Sequence, residues 1–196
     1  MGVFAFLLDI IQEQLADLKY DNAKDVMHND SITLGWLVDL GFSALYVLAA
    51  AILTIYVGPG AQGSGVAECM GYLNGVKYPN YISIPTLLIK FAGCLLAVAS
   101  GLCGGKEGPL IHIGACVGVL VLYLPFPYMQ HFRNDTDKRK YLAIGGAAGV
   151  SAAFGAPIGG SLFAFELSKP NTFWSFSLTW KVFFASSIST FILGIL

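Results

Sequence analysis

The chain has 196 residues, 56% of them hydrophobic and only 12% charged, with a formal net charge of −1 and a mean hydropathy of +0.68. Soluble domains carry about 25% charged and about 45–50% apolar residues, so this composition excludes an ordinary soluble domain, and the lack of a basic excess excludes nucleic acid as a partner. The 23 glycines follow no three-residue period and sit among Ala, Ile, Leu and Phe, which excludes both collagen and a flexible linker.

The opening segment, Gly2 to Tyr20, starts apolar and then acquires Asp9, Glu13, Asp17 and Lys19, the pattern of a helix emerging from a membrane or of one whose start is missing. It has neither the basic leader nor the cleavage site of a signal peptide, and Phe6 stands where a myristoylation signal needs Ser or Thr. Residues 21–31 read as a polar loop in which Asp30 or Ser31 caps the next helix. A spanning helix needs about 20 mostly apolar residues, and the lightly charged stretches 31–58, 82–103, 109–129, 141–166 and 172–196 each have that length. The expected architecture is therefore all-α and polytopic, in contact with the lipid bilayer. The mixed signs of the six charges in residues 133–140 leave its orientation open. Cys69, Cys94, Cys103 and Cys116 lie in or beside apolar runs, where cysteine is usually a small buried hydrophobe, and no disulfide is expected.

Glycine and proline interrupt the apolar runs at Gly58-Pro59-Gly60, Gly63-Ser64-Gly65, Gly104-Gly105, Gly108-Pro109 and Gly155-Ala156-Pro157. Irregular backbone at membrane depth survives only where it is buried in protein or lines a cavity, so broken and re-entrant helices around a polar site are expected. Small residues four apart (Gly71/Gly75, Gly101/Gly105, Gly114/Gly118, Gly145/Gly149, Gly155/Gly159) suit close helix packing.

Three stretches carry the chemistry. In Gly104–Pro109, Lys106 and Glu107 stand between long apolar segments, where an unpaired charge is expensive. Pro109 fits the first turn of a helix, whose bare amides and positive macrodipole end form an anion site. Glu107 is a tethered carboxylate at that spot, able to occupy an anion's place or take a proton. The plainer reading is a Lys106–Glu107 surface pair. In Gly63–Glu68, the Ser64 hydroxyl and the amides of Gly65 and Val66 offer coordination without a full positive charge, which keeps an anion weakly held. By itself that motif is also an ordinary turn. The third stretch, 145–166, reads as two short helices hinged at Gly155-Ala156-Pro157 and ending in Glu166, which is either structural, paired with Lys169 or a backbone amide, or a proton carrier. His112 reads as a hydrogen-bonded packing residue, and His28 and His131 flank loops. No metal-ligand spacing, nucleophile elbow or Walker loop occurs, so an enzyme has no positive support and no cofactor is expected.

GSGVAE at 63–68, GKEGPLIHIG at 105–114 and GGAAGVSAAFGAPIGGSLFAFE at 145–166 resemble, in order and spacing, the three N-terminal signature motifs of the CLC chloride channel and chloride/proton exchanger family. LNGVKYP at 73–79, FRNDTDKRKYLAIG at 132–145 and TWKVFFASSISTF at 179–191 look most like its lysosomal and late-endosomal branch. The resemblance implies an all-helical fold of two inverted repeats, a homodimer with one anion pathway per subunit, and an endolysosomal or vacuolar membrane. It assigns Ser64 to central anion coordination, with serine rather than proline there going with chloride over nitrate. Glu107 becomes the gate and external proton handler, and Lys106 and Gly108 the flanks of the outer site. Segments near 156–169 and 172–195 become parts of the dimer interface.

The resemblance has departures. Ala67 replaces the proline of GSGIPE. Leu167 stands where exchangers carry the internal proton-accepting glutamate, which favours a glutamate-gated, passive chloride channel over an antiporter working through another route such as Glu166. Leu196 falls after roughly the first repeat, so the resemblance implies residues 1–196 as the N-terminal half of the transmembrane domain, with the second repeat and the CBS domains absent. A half-length, non-conducting subunit that assembles with longer relatives is the remaining expectation.

Overall fold

The computed structural model describes residues 1–29, 31–125, 133–168 and 173–196. Those residues form eight α-helices and no strand: α1 (Gly2–Asn29), α2 (Ile32–Ile52), α3 (Val66–Leu73), α4 (Ile84–Ala99), α5 (Glu107–Leu120), α6 (Asp135–Phe154), α7 (Pro157–Ser168) and α8 (Phe176–Ile195). Ser31 caps α2, its hydroxyl accepting from the Leu34 amide at 3.3 Å; Asp30, the alternative cap, lies outside the described residues, as do His131 and Lys169. The expected polar loop at 21–31 is a correction, because α1 stays helical to Asn29. Its last turns are held by tertiary contact: Gly35 of α2 packs on the Ala23 carbonyl and on Met27, so close that a Cβ there would stand 2.9 Å from the Met27 Cβ.

The five expected spans are realised unevenly. Residues 32–57 form one 26-residue apolar run, α2 extended by a wide turn over Leu53–Val57, and α8 supplies another of 20 residues. Both are long enough for a bilayer core of about 30 Å. By contrast α4 has 16 residues, about 24 Å of rise, and α5 has 14. The stretch 141–166 is split between α6 and α7, with Gly155 ending α6 at φ +62°, a left-handed position that glycine takes without strain. The missing length has gone into the glycine- and proline-rich loops, as broken helices require.

The core forms where α5 and α6 lie back to back. A Cβ on Gly114 would run into the Gly145 carbonyl, one on Gly145 into the Gly114 carbonyl, and one on Gly149 into the Leu110 carbonyl. Backbones thus meet directly, the use of small residues that membrane helices favour. Gly145→Ala should therefore push the two helices apart and cost about 1–3 kcal/mol, as overpacking does. Gly146→Ala, whose Cβ would meet the Ile111 Cγ2 at an ordinary 3.8 Å, should be neutral. Thermal midpoints of the two variants in detergent check this, and equal midpoints would contradict it. The other face of α6 carries α7 and α8: Ser189 donates to the Ala148 carbonyl at 3.0 Å and Thr190 to the Ser151 carbonyl at 3.3 Å. Cys69, Cys94 and Cys116 are buried and no cysteine is bonded to another, as expected; Cys103 is exposed, on the link between α4 and α5, and corrects the expectation that it is buried. Large apolar side chains face outward on α2 and α8, Trp36, Leu45, Phe176 and Phe191 among them. Such a surface suits lipid and would be a liability in water.

Candidate functional site

Two helix starts meet. α3 begins at Val66 behind Gly65, which holds φ +83°, and α5 begins at Glu107 with Pro109 in its first turn. The loop ahead of α3 touches the first turn of α5: a Cβ placed on Gly108 would stand 2.8 Å from the Ser64 Cβ. Gly108 is therefore required at the crossing, and Ser64 and Glu107 belong to one small region. Ser64 is exposed there and Glu107 half-buried. The Ser64 hydroxyl accepts weakly from the Val66 amide at 3.4 Å, which leaves its proton free to point at a ligand. The Glu107 carboxylate folds back on its own loop, lying where a Gly105 side chain would be. A cavity of about 470 Å³ between α2, α4 and α5 is lined by Gln62, Gly63 and Pro109, so it reaches the back of both helix starts.

Lys90 of α4 gives the first of these starts its shape. Its ammonium is buried and donates to three successive carbonyls, Ala61 at 3.0 Å, Gln62 at 3.3 Å and Gly63 at 2.6 Å. In a trans peptide the carbonyl and the following N–H point in opposite directions, so the amides of Gln62, Gly63 and Ser64 leave the loop on its other face. A buried cation thus turns a run of amides outward and adds its own positive field behind them. Sequence alone does not mark Lys90, because a lysine among carbonyls 27 to 29 residues away has no local signature.

Lys106 does not pair with Glu107. It makes a charge-assisted hydrogen bond to Asp9 of α1, which corrects the surface-pair reading and leaves Glu107 out of that bond. The Lys106 charge next to the site is thereby largely neutralised. Lys19, ten residues further along α1, is also turned inward, 2% exposed, donating to Ser43 and to the Ser100 carbonyl, both at 3.1 Å, and standing 3.4 Å from Asp39. Two of the charges of α1, Asp9 and Lys19, hold the two ends of the 100–106 link. Releasing Lys106 by Asp9→Asn should raise apparent anion affinity up to about fivefold, the scale of a partly exposed pair of at most about 1 kcal/mol. Adding Lys106→Gln should reverse the gain; flux titrations of the single and double variants read both, and an Asp9→Asn protein with unchanged affinity would refute it.

The third stretch is remote in character. Leu167 is buried in the core with Cys69 and Ile111, an apolar setting. Glu166 is exposed at the end of α7. His112 is fully buried and hydrogen-bonded through Nε2 to the Tyr81 carbonyl at 3.0 Å, as the packing reading expects. Among the described residues no group of His, Cys, Asp and Glu could hold a metal ion.

The sequence profile of the family described as voltage gated chloride channel matches residues 46–196. The chain is 41% identical over 204 residues to the H(+)/Cl(-) exchange transporter 7 of Bos taurus, covering 98% of this chain and 25% of that protein. It is 38% identical over 203 residues to chloride channel protein D of Dictyostelium discoideum, covering 100% and 20%. It superposes on a slow cyanobacterial Cl-/H+ antiporter with a TM-score of 0.84 at 23% identity, covering 99% of this chain and 43% of that one. A eukaryotic CLC transporter gives 0.85 at 24%, covering 100% and 35%. These two likenesses establish the fold, and the chain spans about a quarter of the length of the curated relatives it matches.

Proposed function

The chain belongs to the voltage-gated chloride channel family, the CLC channels and exchangers, and from that premise we propose that it forms the first half of a chloride pathway through a membrane. The observation that carries the proposal is the contact between the two helix starts, which brings the Ser64 hydroxyl and the Glu107 carboxylate into one region of outward-facing amides. Chloride is drawn there by amide dipoles, with the Lys90 charge behind them and out of contact, so it is held weakly enough to leave. Glu107, a carboxylate beside the same amides, competes with chloride and gates the path, and protonation removes it from the competition. Gly65 and Gly108 let backbone approach the ion, and Lys106 supplies a field that Asp9 balances. The region is open on the side of Ser64. Transport, not catalysis, is the activity, with no cofactor; chloride is the cargo.

Leu167 in an apolar core supports passive conduction. A second reading, coupled exchange of chloride for protons, is supported by the printed name of the 41% identical relative. Reconstituting the full-length protein in chloride-loaded vesicles and recording chloride and proton movement together tests both. Chloride release without proton uptake supports conduction; uphill proton uptake driven by the chloride gradient supports exchange; no chloride release defeats both. The apolar groove between α7 and α8, lined by Leu162, Phe165, Trp180 and Phe183, supports a homodimer through this face. The motifs at 73–79, 132–145 and 179–191 support an endolysosomal or vacuolar membrane.

A further inference from the structure

Behind Ser64 the structure closes a ring of contacts that the proposed pathway does not itself use. Tyr81, 2% exposed on the link between α3 and α4, donates its hydroxyl to the Gly65 carbonyl at 3.0 Å. Its own carbonyl lies 3.0 Å from Nε2 of His112 and 3.6 Å from the Cys116 thiol, which donates to it. A carbonyl only accepts, so Nε2 carries a proton and, in the neutral ring, Nδ1 is left as a bare lone pair. That atom has no partner although it is buried. The imidazole stacks on the Tyr81 ring, centroids 4.1 Å apart and planes at 12°. Its Nδ1 edge lies against Gly65, where an added Cβ would stand 2.6 Å from it.

Gly65 is thus constrained from two directions, by a hydrogen bond on its carbonyl and by an aromatic edge on its Cα. Its left-handed φ of +83° is the torsion that separates Ser64 from the amide of Val66. A change in that torsion swings the Ser64 hydroxyl relative to the first amides of α3. His112 stands on α5, five residues after Glu107, so the ring also ties the helix of the carboxylate to the loop of the hydroxyl.

We infer that Tyr81 and His112 are positioning residues for the anion site: they lock Gly65 in its left-handed conformation and so aim the Ser64 hydroxyl, which sets the choice between chloride and larger oxyanions. The inference rests on Ser64 meeting the anion, as proposed above. The ring's bonds are few and each is specific, so its members can be removed singly. Tyr81→Phe deletes only the hydroxyl. His112→Leu deletes the donor to the Tyr81 carbonyl and the stacked ring, and His112→Gln keeps a donor in that place.

The test is the ratio of chloride to nitrate flux in the full-length protein reconstituted in vesicles, with the amount of inserted protein measured separately. Tyr81→Phe is expected to lower the ratio about fivefold, equivalent to about 1 kcal/mol, while chloride flux persists. His112→Leu should do the same, and His112→Gln should recover at least half of the loss. A packing role alone would reduce inserted protein and leave the ratio of the surviving molecules untouched; that result in Tyr81→Phe, the mildest variant, overturns the inference even where His112→Leu fails to insert. Ser64→Ala is run alongside. If it changes the ratio while Tyr81→Phe and His112→Leu do not, the inference alone falls; if Ser64→Ala leaves the ratio unchanged, the anion-site reading falls and takes the inference with it.

Discussion

Glu107→Ala should give a protein whose chloride flux no longer responds to voltage or to pH. The wild-type carboxylate sits at the first position of α5, half-buried and folded over Gly105, beside amides that attract any anion. A tethered anion at that place and a chloride ion exclude each other. A gate closed nine times in ten holds a bias of only about 1.4 kcal/mol, so deleting it raises flux at closing voltages about tenfold. Glu107→Gln keeps the size of the side chain but can neither bear the charge nor lose it to a proton, so pH dependence should vanish in that variant as well. Planar-bilayer currents across a voltage and pH series measure both, and gating that persists in Glu107→Ala would remove Glu107 from the role.

Lys90→Met is expected to be the most damaging single change to the fold of the site. Methionine matches the length of the lysine stem but leaves the carbonyls of Ala61, Gln62 and Gly63 without their shared donor. A buried polar group stripped of its partner costs about 1–3 kcal/mol, so three approach the whole stability of about 5–15 kcal/mol typical of a folded chain. Little monodisperse protein should be recovered in detergent, as judged by size-exclusion chromatography. Lys90→Gln, with two donors, should recover part of the yield but with a weaker preference for chloride, because the positive field behind Ser64 has gone. Recovery of Lys90→Met at wild-type yield and thermal midpoint would show that the loop holds its own shape.

The two helix starts were legible because glycine, serine and proline at membrane depth need a reason to be there, and an anion site is one. The loops at 63–65 and 104–106 appear where that argument puts them, with Pro109 in the first turn of α5 and Gly65 at positive φ. The hinge at Gly155 between α6 and α7 was readable for the same reason. Other features were not. The segment after Tyr20 is polar and looks like a loop; it is helical because Ala23 and Met27 pack on Gly35. Lys106 and Glu107 are adjacent and of opposite sign, yet Lys106 turns to Asp9, 97 residues away.

What the residues alone determined is the solvent and the places where the helices are interrupted. So low a charge content cannot live in water, and bare amides at interrupted helices favour an anion, whatever the packing around them. Only the tertiary structure decided which side chains stand around the two helix starts. Lys90, Asp9, Tyr81 and His112 bond to groups distant in the chain, and a buried lysine surrounded by carbonyls cannot be told from a snorkelling one by its neighbours in sequence. Periodicity reports which face of a helix is apolar; it is silent on what that face meets.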